Sequence, residues 1–421
     1  MPAFTFARPL ALAGAALVAL ASSGAQATDG YFLNGVGPKA KGMAGVAIAL
    51  PQDALAAANN PASISALGAR MDFDVEIFVP DRGAEITGNG AGLNGDYNGN
   101  GSNPFVLPEF GYVRPLSDQL TFALTINGNG GMNTDYEASP FAAFGAAGPT
   151  GVDLKQVFIV PTLAYEFAPG QSLGVSAIGL VQGFRAEGIQ PFSGASADPA
   201  NFTNRGTDVA LGGGFRVGYY GELSDAVSIG AFYQSRVWAG SFNRYAGLFA
   251  DQGGFDVPAS YGAGIALRPT DRLVLAADVK RIEYSGVNAV GNPLSVLFTG
   301  VPFGGSDGPG FGWRDVTVFK LGASYQANDS LTLRAGYGRS QNPVPASETL
   351  LNVLAPGVVQ DHFTLGATWR SQSGFELTGF AMRAPRNDVA GQGSIPLAYG
   401  GGEANVHLAE TSFGLGIGYA F

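Results

Sequence analysis

The sequence predicts an all-β protein: a transmembrane antiparallel β-barrel of about fourteen strands, its lumen plugged by a small N-terminal α-helical hatch. Three observations carry that expectation. An export signal opens the chain, no later segment is a long apolar helix, and the connections between alternating segments take turns between short and long.

The export signal lies in residues 1–27. Arg8 supplies the positive charge, Pro9 to Ala21 is a short apolar run, and Ala25-Gln26-Ala27 is a small-residue cleavage site. This is a secretory signal peptide, too short in its apolar core to span a membrane as a helix. Without Arg8 the chain carries 22 basic and 33 acidic residues, a net charge of 22 − 33 = −11. An acidic chain of this kind has no electrostatic footprint for nucleic acid. The absence of cysteine means that no disulfide framework holds the exported fold. Charged residues make up 13% of the chain, against roughly 25% in soluble domains. No later segment approaches 18 consecutive apolar residues. An exported, mildly hydrophobic chain without an apolar helix fits a membrane barrel, where only alternate residues face lipid.

The connections give the strand count. Short, turn-like links rich in Asp, Asn, Gly, Pro and Ser stand at 116–119, 169–172, 223–226, 269–272, 327–330 and 371–374. Long, polar, Gly/Asn-rich links such as 88–104 and 289–310 alternate with them. Six short turns and seven long loops imply about fourteen strands, with both ends of the barrel on the periplasmic side of an outer membrane. The strands alternate accordingly. Phe413, Leu415, Ile417, Tyr419 and Phe421 share one face, and Gly414, Gly416, Gly418 and Ala420 share the other. Phe363, Leu365, Ala367 and Trp369 likewise oppose His362, Thr364, Gly366, Thr368 and Arg370.

Residues 28–69 lack that alternation and are rich in Ala and Gly. Lys39 to Leu50 and Gln52 to Ala58 read as two short helices, broken by Pro51 and ended by Asn59-Asn60-Pro61. They form the hatch, and residues 70–421 form the barrel around it.

The stretch "DALAAANNPASISAL" resembles the N-terminal plug signature of the FadL-type outer-membrane transporters of long-chain fatty acids and other hydrophobic compounds. Asp53, Ala54, Asn60, Pro61 and Ala62 match it at the same spacing, and Gly30-Tyr31-Phe32 resembles the family's mature N-terminus. The resemblance extends over essentially the whole mature chain. It implies a hatch inside a fourteen-stranded barrel and a ligand pocket beside the N-terminal residues, here Thr28, Gly30, Tyr31 and Phe32. It also implies a kinked third strand that opens the wall sideways, here at Asn129, Gly130 and Gly131, with Gly131 on the kink glycine. The third and fourth extracellular loops, about 186–207 and 240–256, are shorter than in the best-known members. The longer fifth loop, 285–312, offers Leu297, Phe298 and Phe303 as a docking surface instead. The family's carboxylate-binding arginine has Pro191 in its place, with Arg185 nearby, so a neutral substrate stays open.

The function expected is passive uptake of hydrophobic small molecules, long-chain fatty acids first, with hatch movement and lateral exit. Neutral aromatic hydrocarbons by the same route are the alternative, and a general diffusion porin is a third reading. A monomer in contact with outer-membrane lipid and lipopolysaccharide is expected, with no cofactor and no metal. Catalysis has little support. Only His362 and His407 could serve a serine nucleophile, neither is followed by a Ser two residues on, and both read as rim residues. "DYNGNG" at Asp96 starts like a calcium loop but has Leu107 where the twelfth-position Glu belongs, and it reads as a solvated loop. Arg216, Arg236, Lys280, Lys320, Arg334 and Arg370 read as scattered, too sparse for the charged lumen of a porin.

Overall fold

The structure is a computed structural model that describes residues 29–421. The expected signal peptide, 1–27, and Thr28 lie outside the described residues. Sixteen strands join one hydrogen-bonded antiparallel sheet, and fourteen of them make the wall. These are β1 (Arg70–Thr87), β2 (Phe105–Pro115), β3 (Leu120–Tyr136), β4 (Thr150–Ala168), β5 (Gln171–Glu187), β6 (Asp208–Ser224) and β7 (Val227–Gln234). There follow β8 (Ser260–Thr270), β9 (Leu273–Ile282), β10 (Val316–Asn328), β11 (Leu331–Ser340), β12 (Asp361–Arg370), β13 (Phe375–Val389) and β14 (Glu403–Ala420). Two short strands, Gly95–Asn98 and Trp238–Ala239, pair with β1 and β6 from within loops. The expected solvated loop at Asp96 is therefore partly a strand.

Strand β14 pairs with β1 from Arg70↔Ala420 to Thr87↔Glu403, which closes the barrel. Closure is the condition for a sheet in hydrocarbon, because an edge would leave backbone groups without partners. The six short turns fall where the sequence places them. Exposed Leu211, Phe319, Leu365 and Leu415 form an outer apolar band, and Tyr165, Phe167, Tyr325, Trp369 and Tyr419 lie beside the short turns. That is the aromatic girdle expected at a membrane interface.

Within the barrel, Asp29 to Leu67 is folded against the inner wall, with contacts on β1 to β6 and β12 to β14. Its local structure differs from the two helices expected. Only Pro38–Lys41 is α-helical (α1), and it is followed by irregular turns through Leu50. Gly42 and Gly45 stop helix propagation, and Ala44 sits in the left-handed region at φ 56. The second segment is 3-10 over Ala54–Ala58, and a further 3-10 turn spans Pro61–Ala66. Asp53 caps the first, accepting from the Leu55 N–H at 3.1 Å. Asn60 caps the second, accepting from the Ala62 N–H at 3.1 Å, with Pro61 at its first position. Of the signature residues, Asp53, Asn60, Pro61 and Ala62 thus terminate and restart short turns. Asn60 also donates to the Ile48 carbonyl at 2.8 Å and to the Tyr219 carbonyl of β6 at 2.9 Å.

Small residues on the inner wall admit this segment. A Cβ at Gly174 of β5 would collide with the Pro61–Ala62 backbone. Gly174→Leu should therefore leave a heat-modifiable barrel but push the segment off the wall, with trypsin then cutting at the buried Lys39 and Lys41. Protection equal to wild type would contradict this placement.

Candidate functional site

The wall is not uniformly paired. β3 and β4 run together for sixteen pairs, from Leu120↔Tyr165 to Tyr136↔Thr150. β2 and β3 pair only from Phe110↔Ile126 to Pro115↔Thr121. Beyond Ile126, β3 leaves its neighbour, and its ladder to β4 bulges between Gly128 and Gly130, with Asn129 as the extra residue. Loop 1 meets β3 again higher up, where Gly101 donates to the Asp135 carbonyl and Asp135 to the Gly99 carbonyl. Residues 127–134 thus border a window in the β2–β3 seam.

The N-terminal segment closes this window from the inside. Phe32 forms an antiparallel bridge with Gly130. The Leu33 N–H donates to the Asn129 carbonyl at 3.1 Å, and the Gly131 N–H donates to the Tyr31 carbonyl at 3.0 Å. Gly130 has φ 152, and a Cβ there would collide with the Tyr31 carbonyl, so the approach requires glycine. Gly131, aligned as the kink glycine, contributes its N–H, whereas the bulge and the close approach fall at Asn129 and Gly130. The Asn129 amide donates to Gln156 at 2.9 Å, and Gln156 donates to Gln182 at 3.0 Å, which ties the bulge to β4 and β5.

Tyr31 is fully buried in an aromatic cluster, its ring 5.3 Å from Tyr284 and 5.8 Å from Trp313. Gly30 makes the turn under Tyr284, whose hydroxyl donates to the Asp29 carbonyl and accepts the Tyr31 N–H at 3.2 Å. The Asp29 carboxylate, also fully buried, lies 2.9 Å from Lys280 of β9 and 3.2 Å from Lys320 of β10. Burial alone would raise its pKa. The facing Lys320 and Lys280 ammonium groups outweigh that and hold it below the usual carboxylate value.

A cavity of about 80 Å³ lies beside this ion pair, lined by Phe32, Ile48, Phe158, Phe232, Arg216 and both lysines, and by Asn127 to Asn129 of the bulge. Ligand pockets usually measure about 300 Å³ or more, so this cavity is smaller than a typical ligand site. Above it the loops enclose an apolar cavity of about 40 Å³ lined by Phe141, Phe184, Phe202, Phe249 and Phe303, among other apolar groups.

The opposite side of the segment is anchored by charge. Lys41 lies 2.7 Å from Glu76 and 3.0 Å from Glu109, and Lys39 lies 2.5 Å from Glu376, which also pairs with Arg70 at 2.9 Å. Asp53 sits in this layer. Burial and the neighbouring Asp72 push it up to about 6, against the pull of Lys39 and Arg70.

Several expectations are redistributed. Phe303 is buried against Phe202 at 5.6 Å, Leu297 is partly buried, and Phe298 is exposed, so the three do not share one docking surface. Arg185 pairs with Glu187, away from the lower cavity. Lys280 and Lys320 read as scattered along the chain yet meet at Asp29, because β9 and β10 are neighbours in register. His362 is buried inside the barrel, its Nε2 3.8 Å from Glu410, rather than at the rim. His407 is half-buried.

Arg82 escaped the sequence reading. From β1 it reaches across the window to donate to the Asn133 carbonyl at 2.6 Å and the Asn103 side chain at 2.9 Å. Only an inward position on β1 hints at this, because its partner lies 51 residues away.

The family model described as outer membrane protein transport protein (OMPP1/FadL/TodX) matches residues 15–421. No curated protein matches the sequence. Among solved structures, the P. putida toluene transporter TodX superimposes with a TM-score of 0.68 at 19% identity, over 92% of this chain and 99% of that one. A Pseudomonas aeruginosa FadL homologue gives 0.70 at 17% identity, over 93% and 100%. The Ralstonia pickettii toluene transporter TbuX gives 0.65 at 17% identity, over 92% and 99%. At these identities the likeness is one of fold.

Two predictions follow from the geometry. Arg82→Ala orphans the Asn133 and Asn103 acceptors and should lower unfolding stability by about 2–4 kcal/mol, read by denaturant titration of the reconstituted barrel. Arg82→Lys should recover little, since one ammonium cannot span the acceptors; full recovery would contradict the bridging role. Burial and the neighbouring Asp72 raise the folded-state pKa of Asp53 from its ordinary 3.8 to about 6. Its protonated form therefore favours the folded state, a contribution fully present below pH 3.8 and lost as pH rises through about 6. Asp53→Asn, which mimics the neutral form, should match wild type in melting temperature at low pH and exceed it at pH 8.

Proposed function

The chain belongs to the OMPP1/FadL/TodX family of outer membrane transport proteins, channels for hydrophobic compounds, and from that membership we propose how it works. It takes up its substrate passively and releases it sideways, through the β3 window, into the outer membrane. Residues 28–69 act as the hatch and 70–421 as the barrel. The chain works as a monomer, with loops toward lipopolysaccharide and wall toward lipid.

The observation that carries this reading is the missing β2–β3 ladder beyond Ile126, spanned among the described residues by the Tyr31–Leu33 bridge, the Arg82 crossing and the loop 1 contacts at Asp135. A hydrophobic substrate gains about 25 cal/mol per Å² of apolar surface removed from water. Passing straight to the periplasm would forfeit that gain, whereas exit into lipid keeps it. Ligand in the lower cavity touches Phe32 and Leu33, so filling it moves the bridge off Asn129 and Gly131 and opens the window.

Long-chain fatty acids are the first substrate class. The lower cavity combines Phe32, Phe158 and Phe232 with Lys280, Lys320 and Arg216, an arrangement suited to a tail and an anionic head. Neutral aromatic hydrocarbons are the second reading, favoured by the upper cavity, whose lining carries no charged side chain. TodX and TbuX are described as toluene transporters, which supports the same reading.

Gly128 lies between the cavity and the window, and a Cβ there would meet only Leu33 Cδ1, at 3.6 Å. Gly128→Trp should fold into a heat-modifiable barrel yet reduce oleate and toluene uptake into cells to background. Normal uptake by the folded variant would contradict lateral exit.

A further inference from the structure

We propose that Arg339 and Arg383, on the outer face of the wall, dock the phosphate groups of lipopolysaccharide, whose acyl chains lie on Phe319 and Phe363 beside them. The inference goes beyond the transport reading and does not depend on it.

The height of the two arginines on the wall comes first. They belong to β11 and β13, which both run from a short turn toward a long loop. These strands start at Leu331 and Phe375, so each arginine stands eight residues above the first residue of its strand. A transmembrane strand crosses the hydrocarbon in about 9–11 residues. The arginines therefore lie where the wall emerges on the long-loop side, which faces the outside of the cell.

Register then gives each arginine the same neighbour. Phe319 of β10 is directly opposite Arg339, and Phe363 of β12 is directly opposite Arg383. Opposite residues of an antiparallel pair share a face, and both phenylalanines are exposed on the outside, at 59% and 52%. Exposed Leu321 and Leu365 continue the apolar surface two residues nearer the short turns. The two Arg–Phe units are linked through Asp361, which is opposite Arg339 and two residues before Phe363. With strands about 4.8 Å apart and about 3.4 Å per residue along them, the arginine Cα atoms are about 12 Å apart.

Both guanidinium groups keep donors for a ligand. Arg383 uses one nitrogen, donating to the Thr411 hydroxyl at 2.7 Å and the Glu410 carbonyl at 3.4 Å, and forms no ion pair among the described residues. Arg339 meets Asp361 through Nη1, at 3.0 and 3.2 Å. Asp361 also accepts the Tyr337 hydroxyl at 2.6 Å, so this carboxylate orients Arg339 while being held itself. A guanidinium carries five N–H donors in a planar fork that matches phosphate oxygens. Two such forks, each with an aromatic ring on its membrane side, fit an amphiphile with two phosphates on an acylated sugar head. In the outer leaflet that amphiphile is lipopolysaccharide.

The test is native mass spectrometry of the full barrel in detergent, with bisphosphorylated lipid A, its dephosphorylated form and phosphatidylglycerol as ligands. EDTA in the buffer keeps a divalent cation from bridging phosphate to Asp361. Wild type should bind bisphosphorylated lipid A about tenfold or more tightly than the dephosphorylated form, as charge-assisted hydrogen bonds to phosphate imply. R339Q/R383Q should bring that preference close to one while remaining heat-modifiable. R114Q removes an exposed arginine at the periplasmic end of β2 and should leave the preference intact. Three results would overturn the proposal: an unchanged preference in R339Q/R383Q, an equal loss in R114Q, or phosphatidylglycerol binding as tightly as lipid A. If the double variant fails to assemble, R383Q carries the test, because it breaks no ion pair. Its preference should fall severalfold, and an undiminished preference overturns the proposal.

Discussion

A sheet in hydrocarbon must pair every backbone group, and this barrel meets that requirement at one place with chain from its N-terminal segment. Along the β2–β3 seam the ladder ends at Phe110↔Ile126. The next β3 groups that would face β2 are met instead by Tyr31 and Leu33 of the N-terminal segment. The closed wall is thus partly made of chain that does not belong to it. The Asn129 bulge, the positive φ of Gly130 and the reach of Arg82 to Asn133 all adjust the wall to that arrangement.

Charge ties the N-terminal segment to the wall on two sides. Lys39 and Lys41 are surrounded by Asp74, Glu76, Glu109 and Glu376 of the wall, and the Asn60 cap is tied to Tyr219. These contacts position the segment on one side of the lumen. On the other side Asp29 meets Lys280 and Lys320, two lysines that also line a cavity. The upper loops add an apolar chamber rich in phenylalanine above this site.

The barrel was legible because its signals are local. Period-two alternation and the Asp, Asn and Gly of six short turns each need only a few neighbouring residues to be read, and the turns fall where they were placed. The hatch was legible as a segment but not in its local form. Ala-rich composition suggests α-helix, whereas Gly42, Gly45 and the caps at Asp53 and Asn60 cut it into single turns. The site was the least legible part. Asp29 and Lys280 are separated by most of the chain, and Arg82 and Asn133 by two loops and a strand, so only the register of the closed sheet brings them together. The three loop residues chosen for docking illustrate the same limit: apolar character alone did not distinguish buried Phe303 from exposed Phe298.

The central claim, that the Tyr31–Leu33 bridge closes the window and ligand removes it, is most directly tested by amide hydrogen exchange. The two reporters are the Leu33 and Gly131 N–H groups, which the bridge holds at 3.1 and 3.0 Å from their acceptors. In nanodiscs without ligand both should be protected, and saturating fatty acid should release both together while the β3–β4 ladder stays protected. Unchanged protection of Leu33 and Gly131 in a ligand-saturated, transport-active protein would contradict the account.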